Sequence, residues 1–229
     1  MIDFEREMVA KGEAFRAKFA KANPNHPELP FIDAAIAGTR ASLASLEAVK
    51  LQAEQLFYMI PEGEGLRFNL DIGGKSAEQL EDEVKATGRE VTIYASDMIH
   101  SPKFEVLGKI TTQRLLKFPV RALGLLGNPT TTEILERIPQ CQYGEDALEL
   151  PRAEVGPHKT IADKDQPKDD YYYVMHQPIT DRHGFPLVFG VGHNSRGRFL
   201  GGPWAHPAYG WRPALQLVVA LRKIESVKP

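Results

Sequence analysis

Over the first sixty residues, apolar side chains recur at three- and four-residue steps. Beyond Pro61 they change to short runs and alternations. The first pattern is that of helices, the second that of strands. From Asp3 to Ala22, Phe4, Met8, Phe15 and Phe19 stand at spacings of 4, 7 and 4, with Lys11, Arg16, Lys18 and Lys21 largely off that stripe. The helix is expected to stop at Asn23-Pro24-Asn25-His26-Pro27, because a proline disfavours helix in the residue before it. A second helix is expected from about Phe31 to Ile60. There Ile32, Ile36, Leu43, Leu46, Ala53, Phe57 and Ile60 repeat at helical steps, and Ala34, Ala35, Ala37, Ala41, Ala44 and Ala48 favour helix. Residues 1–60 thus read as an antiparallel helical hairpin. Its apolar stripe packs either on the rest of the chain or on a protein partner, which includes a second copy of the chain.

Residues 61–229 read as a β-rich domain with short helices. Ser76-x-x-Gln79 is a capping box that opens a helix running to about Thr87. Glu90 to Ala95 alternates and predicts a strand, and Phe104 to Gly108 and Leu115 to Leu126 are β-like or buried stretches. Thr130 to Ile138 predicts a short helix with a threonine cap. Residues 139–170, rich in Pro, Asp, Glu and Lys, suggest an irregular excursion, with a solvated loop over residues 163–170. Strands are expected again at Tyr171 to Met175, Leu187 to Val191 and Leu215 to Arg222. Strands and helices do not alternate regularly here, so the fold class is α+β, mainly antiparallel.

Composition narrows the functional classes. A formal charge of −2 argues against a general polyanion binder. The single cysteine, Cys141, excludes an internal disulfide and a CxxC site, and reads as a small buried apolar residue. The first residues are charged throughout and show no signal-peptide pattern, and no apolar run is long enough to span a bilayer. A cytoplasmic location without membrane partners is the expectation.

The catalytic templates fit poorly. Gly74-Lys75-Ser76 resembles the end of a phosphate loop, but the first glycine would fall on Asn69 and an acidic helix follows. Gly192-His193-Asn194-Ser195-Arg196-Gly197 has the outline of a nucleophile elbow, with His193 where the first glycine is required. His158-Lys159-Thr160 and His193-Asn194-Ser195 form two H-x-[ST] units. Over these six residues the chain resembles the two-histidine phosphoesterases, in which paired imidazoles act as general acid and base. In that family each motif lies on a strand of one of two lobes. Here the first stands beside Pro157 in a polar stretch, 35 residues (193 − 158) before the second. His176, His183, His193 and His206, with Asp181, gather late in the chain without the tight spacings of a metal site. Neither a metal nor a cofactor is expected.

Charge asymmetry is the feature that remains. From His183 to Pro229, Arg196, Arg198, Arg212, Arg222, Lys223 and Lys228 face only Glu225, a balance of +5. They are interleaved with Phe185, Phe189, Phe199, Trp204, Tyr209 and Trp211. Residues 62–97 balance at −5. The Gly- and Pro-rich stretch 192–213 is expected to be an exposed loop, with Arg196, Arg198, Trp204, Trp211 and Arg212 as binding residues for a protein or nucleic acid. A non-catalytic binding or assembly protein fits this pattern, and a subunit of a larger bacterial or viral particle would match it. The alternative is a small histidine-dependent hydrolase or phosphodiesterase built on His158, His193, Ser195 and His206, with Arg196 stabilising developing charge.

Overall fold

The computed structural model describes residues 2–22, 27–55 and 57–224. The chain divides into two compact units, Met1–Leu56 and Phe57–Pro229.

The first unit is two helices, α1 (Ile2–Ala22) and α2 (Leu29–Gln55). The break expected at 23–27 falls mostly outside the described residues. The helices run antiparallel, as their cross-links show: Arg6 Nη2 lies 2.7 Å from Glu47, Arg40 pairs with Glu13, and Arg16 Nε lies 2.7 Å from Asp33. The side chains turned inward repeat every three or four residues. They are Glu5, Val9, Gly12, Arg16 and Phe19 on α1, and Leu29, Ile32, Ile36, Thr39, Leu43 and Leu46 on α2. This is the a/d spacing of a two-stranded coiled coil. Only Phe19 of the expected α1 stripe reaches the seam; Phe4, Met8 and Phe15 are exposed.

The second helix stops before the expected end. Tyr58–Met59 form β1, parallel to β5 (Cys141–Tyr143), and Ile60 is buried with its N–H donated to Gln142 O at 2.8 Å. An apolar run that could extend the helix is claimed instead by the second unit's sheet and core.

The second unit is α+β and mostly antiparallel. In chain order its further elements are β2 (Leu66–Ile72), α3 (Ala77–Ala86), β3 (Glu90–Val91), α4 (Ile93–Ile99), β4 (Thr111–Pro119), α5 (Thr131–Arg137), β6 (Asp146–Glu149), α6 (Val155–Ala162), β7 (Tyr171–Thr180), β8 (Pro186–Asn194), β9 (Gly197–Gly201) and β10 (Gln216–Lys223). The strands join in the order β1-β5-β6-β10-β7-β8-β9-β3, and β4 pairs with both β10 and β2. β10 is the hub: it runs antiparallel to β4 and β6 and parallel to β7.

Side chains alternate across this sheet, as strand geometry requires. Val218 and Ala220 join one buried cluster with Tyr172, Val174, Phe189 and Val191, together with Leu80, Val84, Met98 and Val155 from α3, α4 and α6. Leu217, Val219 and Leu221 join the other, with Leu116, Phe118, Ile134, Ile138 and Trp211. A sheet buried on both faces explains the continuous apolar runs at 187–191 and 217–221. Cys141 is buried there too, and burial pushes its thiol up to about 11.

Both expected capping residues act as caps. Ser76 and Gln79 form a reciprocal capping box, and Thr130 forms another with Glu133. Other expectations need correction. The alternation at Glu90 to Ala95 becomes a two-residue strand and then α4, because Thr92 Oγ1 accepts from Ala95 N–H at 3.3 Å and caps a helix there. Phe104 to Gly108 forms no strand, though Phe104 is buried, and the stretch Leu115 to Leu126 leaves the sheet at Pro119 while Val120, Ala122 and Leu123 stay buried.

Much of the excursion at 139–162 is regular, whereas residues 163–170 form the expected loop. β5 and β6 form a hairpin closed by Gly144-Glu145, with Gly144 at φ +61°, and α6 follows. α6 begins Val155-Gly156-Pro157, where proline is tolerated in a first turn. A Cβ on Gly156 would lie 2.6 Å from Phe189 Cβ, so glycine lets α6 rest on β8. Among the described residues, no helix is long and apolar enough to cross a membrane.

Candidate binding site

The histidines singled out from the sequence are engaged with different stretches of backbone. His158 is buried on α6, where its Nε2 accepts from Gly73 N–H at 3.0 Å and the Glu154 carboxylate lies 3.7 Å away. Burial, helped by the nearby Lys75 ammonium, depresses its pKa to about 4, so the imidazole is neutral. His193, on β8, donates from Nδ1 to Gln166 O at 2.8 Å. His206 is exposed, and its Nδ1 accepts from Ala208 N–H at 3.3 Å.

His193 and His206 stand at opposite ends of β8. Ala205, the residue before His206, donates to Pro186 O at the start of the strand, seven residues from His193. That span is roughly 23 Å at the rise of a strand. Ser195 is exposed in the turn between β8 and β9. His176 sits in a bulge of β7, buried, donating from Nδ1 to Gln177 O and accepting from Phe189 N–H. Each of these imidazoles uses a nitrogen to fasten backbone. Among the described residues, no three His, Cys, Asp or Glu side chains could hold a metal ion.

The basic and aromatic residues are dispersed as well. Arg196 lies in the exposed β8–β9 turn, while Arg198, on β9, is bonded to Lys164 O. Trp211 is not displayed. It is fully buried, donates Nε1–H to Thr131 Oγ1 at 2.8 Å, and packs edge-on against Tyr173 and Tyr209. A large indole whose one donor finds a buried hydroxyl is better placed in a core than in water. Arg212 beside it is exposed. Arg222 is spent on Glu149 at 3.4 Å, and Glu225 and Lys228 lie outside the described residues. The stretch 192–213 is in part regular, since β8 and β9 form a hairpin up to Gly201.

Trp204 remains on the surface, and around it the fold builds a pocket. The first wall is the β7–β8 connection. Asp181 N–H donates to Phe185 O at 3.0 Å and closes a three-residue loop, Arg182-His183-Gly184, with Gly184 at φ +85°. The Asp181 side chain stabilises that loop, because Oδ1 accepts from the N–H groups of His183 and Phe185, each at 2.9 Å. The second wall is the chain after β9. Pro203 O accepts from Val188 N–H, Leu187 bridges to Trp204, and Phe185 and Trp204 rings meet edge-to-face at 5.7 Å. The third wall is α4, which presents Tyr94. A Cβ on Gly202 would fall 2.8 Å from Tyr94 Cβ, so glycine is what lets this strand extension lie on the helix.

The resulting hollow has a volume of about 310 Å³ and is lined by Tyr94, Asp181, Phe185, Leu187, Gly202 and Trp204. Its three rings are half exposed, Trp204 at 51%, whereas Asp181 is only 6% exposed. Asp181 Oδ2 is buried without a hydrogen-bond partner. A hollow of about 410 Å³ elsewhere is bordered by Arg67, Arg114, Asp146 and Lys223, but there Arg114 already holds Asp146 through two bonds of 2.6 and 2.7 Å. Of these two hollows, the aromatic one combines exposed rings with an unfilled buried acceptor.

Of the expected binding residues only Trp204 belongs to it. Tyr94 stands in the stretch whose alternation predicts a strand, and Asp181 among the scattered histidines late in the chain. The spacing Asp181-x-x-Gly184 between two apolar runs was the readable sign of the loop that holds the carboxylate. No protein-family model matches the chain, and neither a curated protein nor a solved structure matches it.

Proposed function

We propose that this is a non-catalytic binding and assembly protein whose helical unit associates with a second copy of itself, while the β-rich unit offers a recognition pocket. The observation that carries this reading is that no described side chain of the helical pair is buried, although Phe4, Met8, Phe15 and Phe31 lie on it. Phe4 is 62% exposed and Phe15 58%. Burying such a side chain fully is worth about 1.5–3 kcal/mol, and most of the stability of a helix in a protein comes from packing its apolar face. Both signs of charge alternate along the pair, as in Lys11 with Glu7 and Arg16 with Asp33, which suits an isologous contact. A four-helix arrangement of two such pairs would cover the exposed rings.

A protein partner is better supported than nucleic acid. Of the four arginines of the C-terminal segment, Arg198 is bonded to Lys164 O and Arg222 is paired with Glu149, so two are already engaged and offer less to a phosphate backbone. A catalytic reading has less support still, since the imidazoles hold backbone groups.

Sedimentation of the full chain tests the association. A dimer is expected that Phe4→Glu with Phe15→Glu converts to monomer, with the near-ultraviolet signal of buried Trp211 retained. A wild-type chain that stays monomeric at about 1 mM, where a contact of about 4 kcal/mol would still register, overturns the reading.

A further inference from the structure

We propose that the hollow bounded by Tyr94, Phe185 and Trp204 binds an alkylammonium group, of the kind a lysine side chain carries, with Asp181 as its counter-ion. The inference concerns the β-rich unit alone and is independent of self-association.

Three features select the ligand. The walls are three half-exposed rings, of which Phe185 and Trp204 meet edge-to-face at 5.7 Å. Aromatic faces attract cations, and do so more strongly where water is excluded. Asp181, 6% exposed, lines the same hollow and leaves Oδ2 buried without a donor. A buried carboxylate oxygen without a partner is unfavourable, so a ligand that brings an N–H and a positive charge is the one that gains most. The nearest protein cation does not fill the role, because Arg182 donates from Nε to Asp97 at 3.0 and 2.8 Å.

The geometry also favours ammonium over guanidinium. Asp181 Oδ1 is spent on the backbone N–H groups of His183 and Phe185, which leaves a single acceptor. A point charge with rotatable donors can use one acceptor, whereas a planar fork needs two. Leu187 supplies an apolar surface for the methylene stem, and about 310 Å³ accommodates one such arm. Asp181 also borders a second hollow lined by Asp97, His100, Ser101, Pro102, Thr180 and Arg182, with no Phe, Tyr or Trp among them. Fluorescence separates the two, because Trp204 lines only the first.

The test is titration of the full chain with Nα-acetyl-lysine methylamide and with n-butylamine, read by tryptophan emission and by calorimetry. Trp211, the other tryptophan, is sealed in the core, so a change reports on Trp204. A saturable response with a half-point on the order of millimolar is expected from both amines, and none from the Nε-acetylated lysine probe. Asp181→Asn keeps Oδ1 for the loop and should weaken binding about tenfold or more. Should that variant fail to fold, Trp204→Ala, exposed and read by calorimetry, is expected to lose binding to the same degree.

A lysine-bearing tripeptide that binds more tightly than butylamine assigns the site to a protein lysine, and equal affinity assigns it to a free amine; both support the proposal. It is overturned by the absence of a saturable change in Trp204, by equal binding of the acetylated probe, or by wild-type affinity in Asp181→Asn.

Discussion

The two units of this chain solve the problem of apolar surface in opposite ways. In the β-rich unit, residues a single position apart go to two different cores, so β10 buries Leu217 through Leu221 without a polar interruption. In the helical unit the inward positions include Glu5, Gly12, Arg16 and Thr39, and nothing described there is buried. A sheet covered on both faces is complete within its own unit. A pair of helices has only one seam, and here polar groups dilute it. Its cohesion within the unit rests on half-buried apolar residues and on exposed ion pairs such as Arg6–Glu47, which contribute little in water.

The sharpest way to break this comparison is to cut into each unit and compare the losses. Trp211→Ala should destabilise the β-rich unit by about 3–5 kcal/mol, through a large cavity and an orphaned Thr131 hydroxyl. Leu43→Ala, in the half-open seam, should cost about 1 kcal/mol or less. Urea unfolding followed by far- and near-ultraviolet dichroism measures both, and comparable losses would defeat the contrast.

Acid supplies the next effect. Burial lowers the pKa of His158 and of His176 to about 4, while the unfolded chain titrates near the ordinary value of about 6.5. As pH falls between those values the unfolded state takes up protons that the folded state refuses. Stability is therefore full above about 6.5 and declines towards about 4, by on the order of a few kcal/mol. Urea midpoints at pH 7, 5.5 and 4.5 should fall in that order, and an unchanged midpoint would show that these imidazoles are not held neutral. Because both lie in the β-rich unit, loss of the tryptophan signal should track the decline.

Smaller effects sharpen the picture. Ser76→Ala removes one half of a capping box and should cost about 1 kcal/mol in the same titration. Phe15→Glu should leave the unfolding of the β-rich unit, followed by the signal of Trp211, within about 0.5 kcal/mol of wild type, because Phe15 belongs to the helical unit. A larger shift would mean that the stability of the β-rich unit depends on the helical one.

Local chemistry was legible along the sequence wherever neighbours in the chain sufficed to decide. Ser76 with Gln79 and Thr130 with Glu133 capped their helices as expected, since a cap closes within four residues. The helical steps before residue 56 and the apolar runs at 187–191 and 217–221 gave the class α+β, because burial on one stripe or on two faces leaves a period in the sequence. The tertiary structure decided what depended on distant partners. Ile60 left the helix for a core and a bond to Gln142, and Gly156 admitted α6 against Phe189 in a stretch that reads as loop. Trp211 and Trp204, seven residues apart, met opposite fates because only Trp211 found Thr131, 80 residues earlier, to take its donor. Periodicity records the surfaces that a segment must bury. The partners that bury them are brought close by the sheet, and no local pattern specifies them.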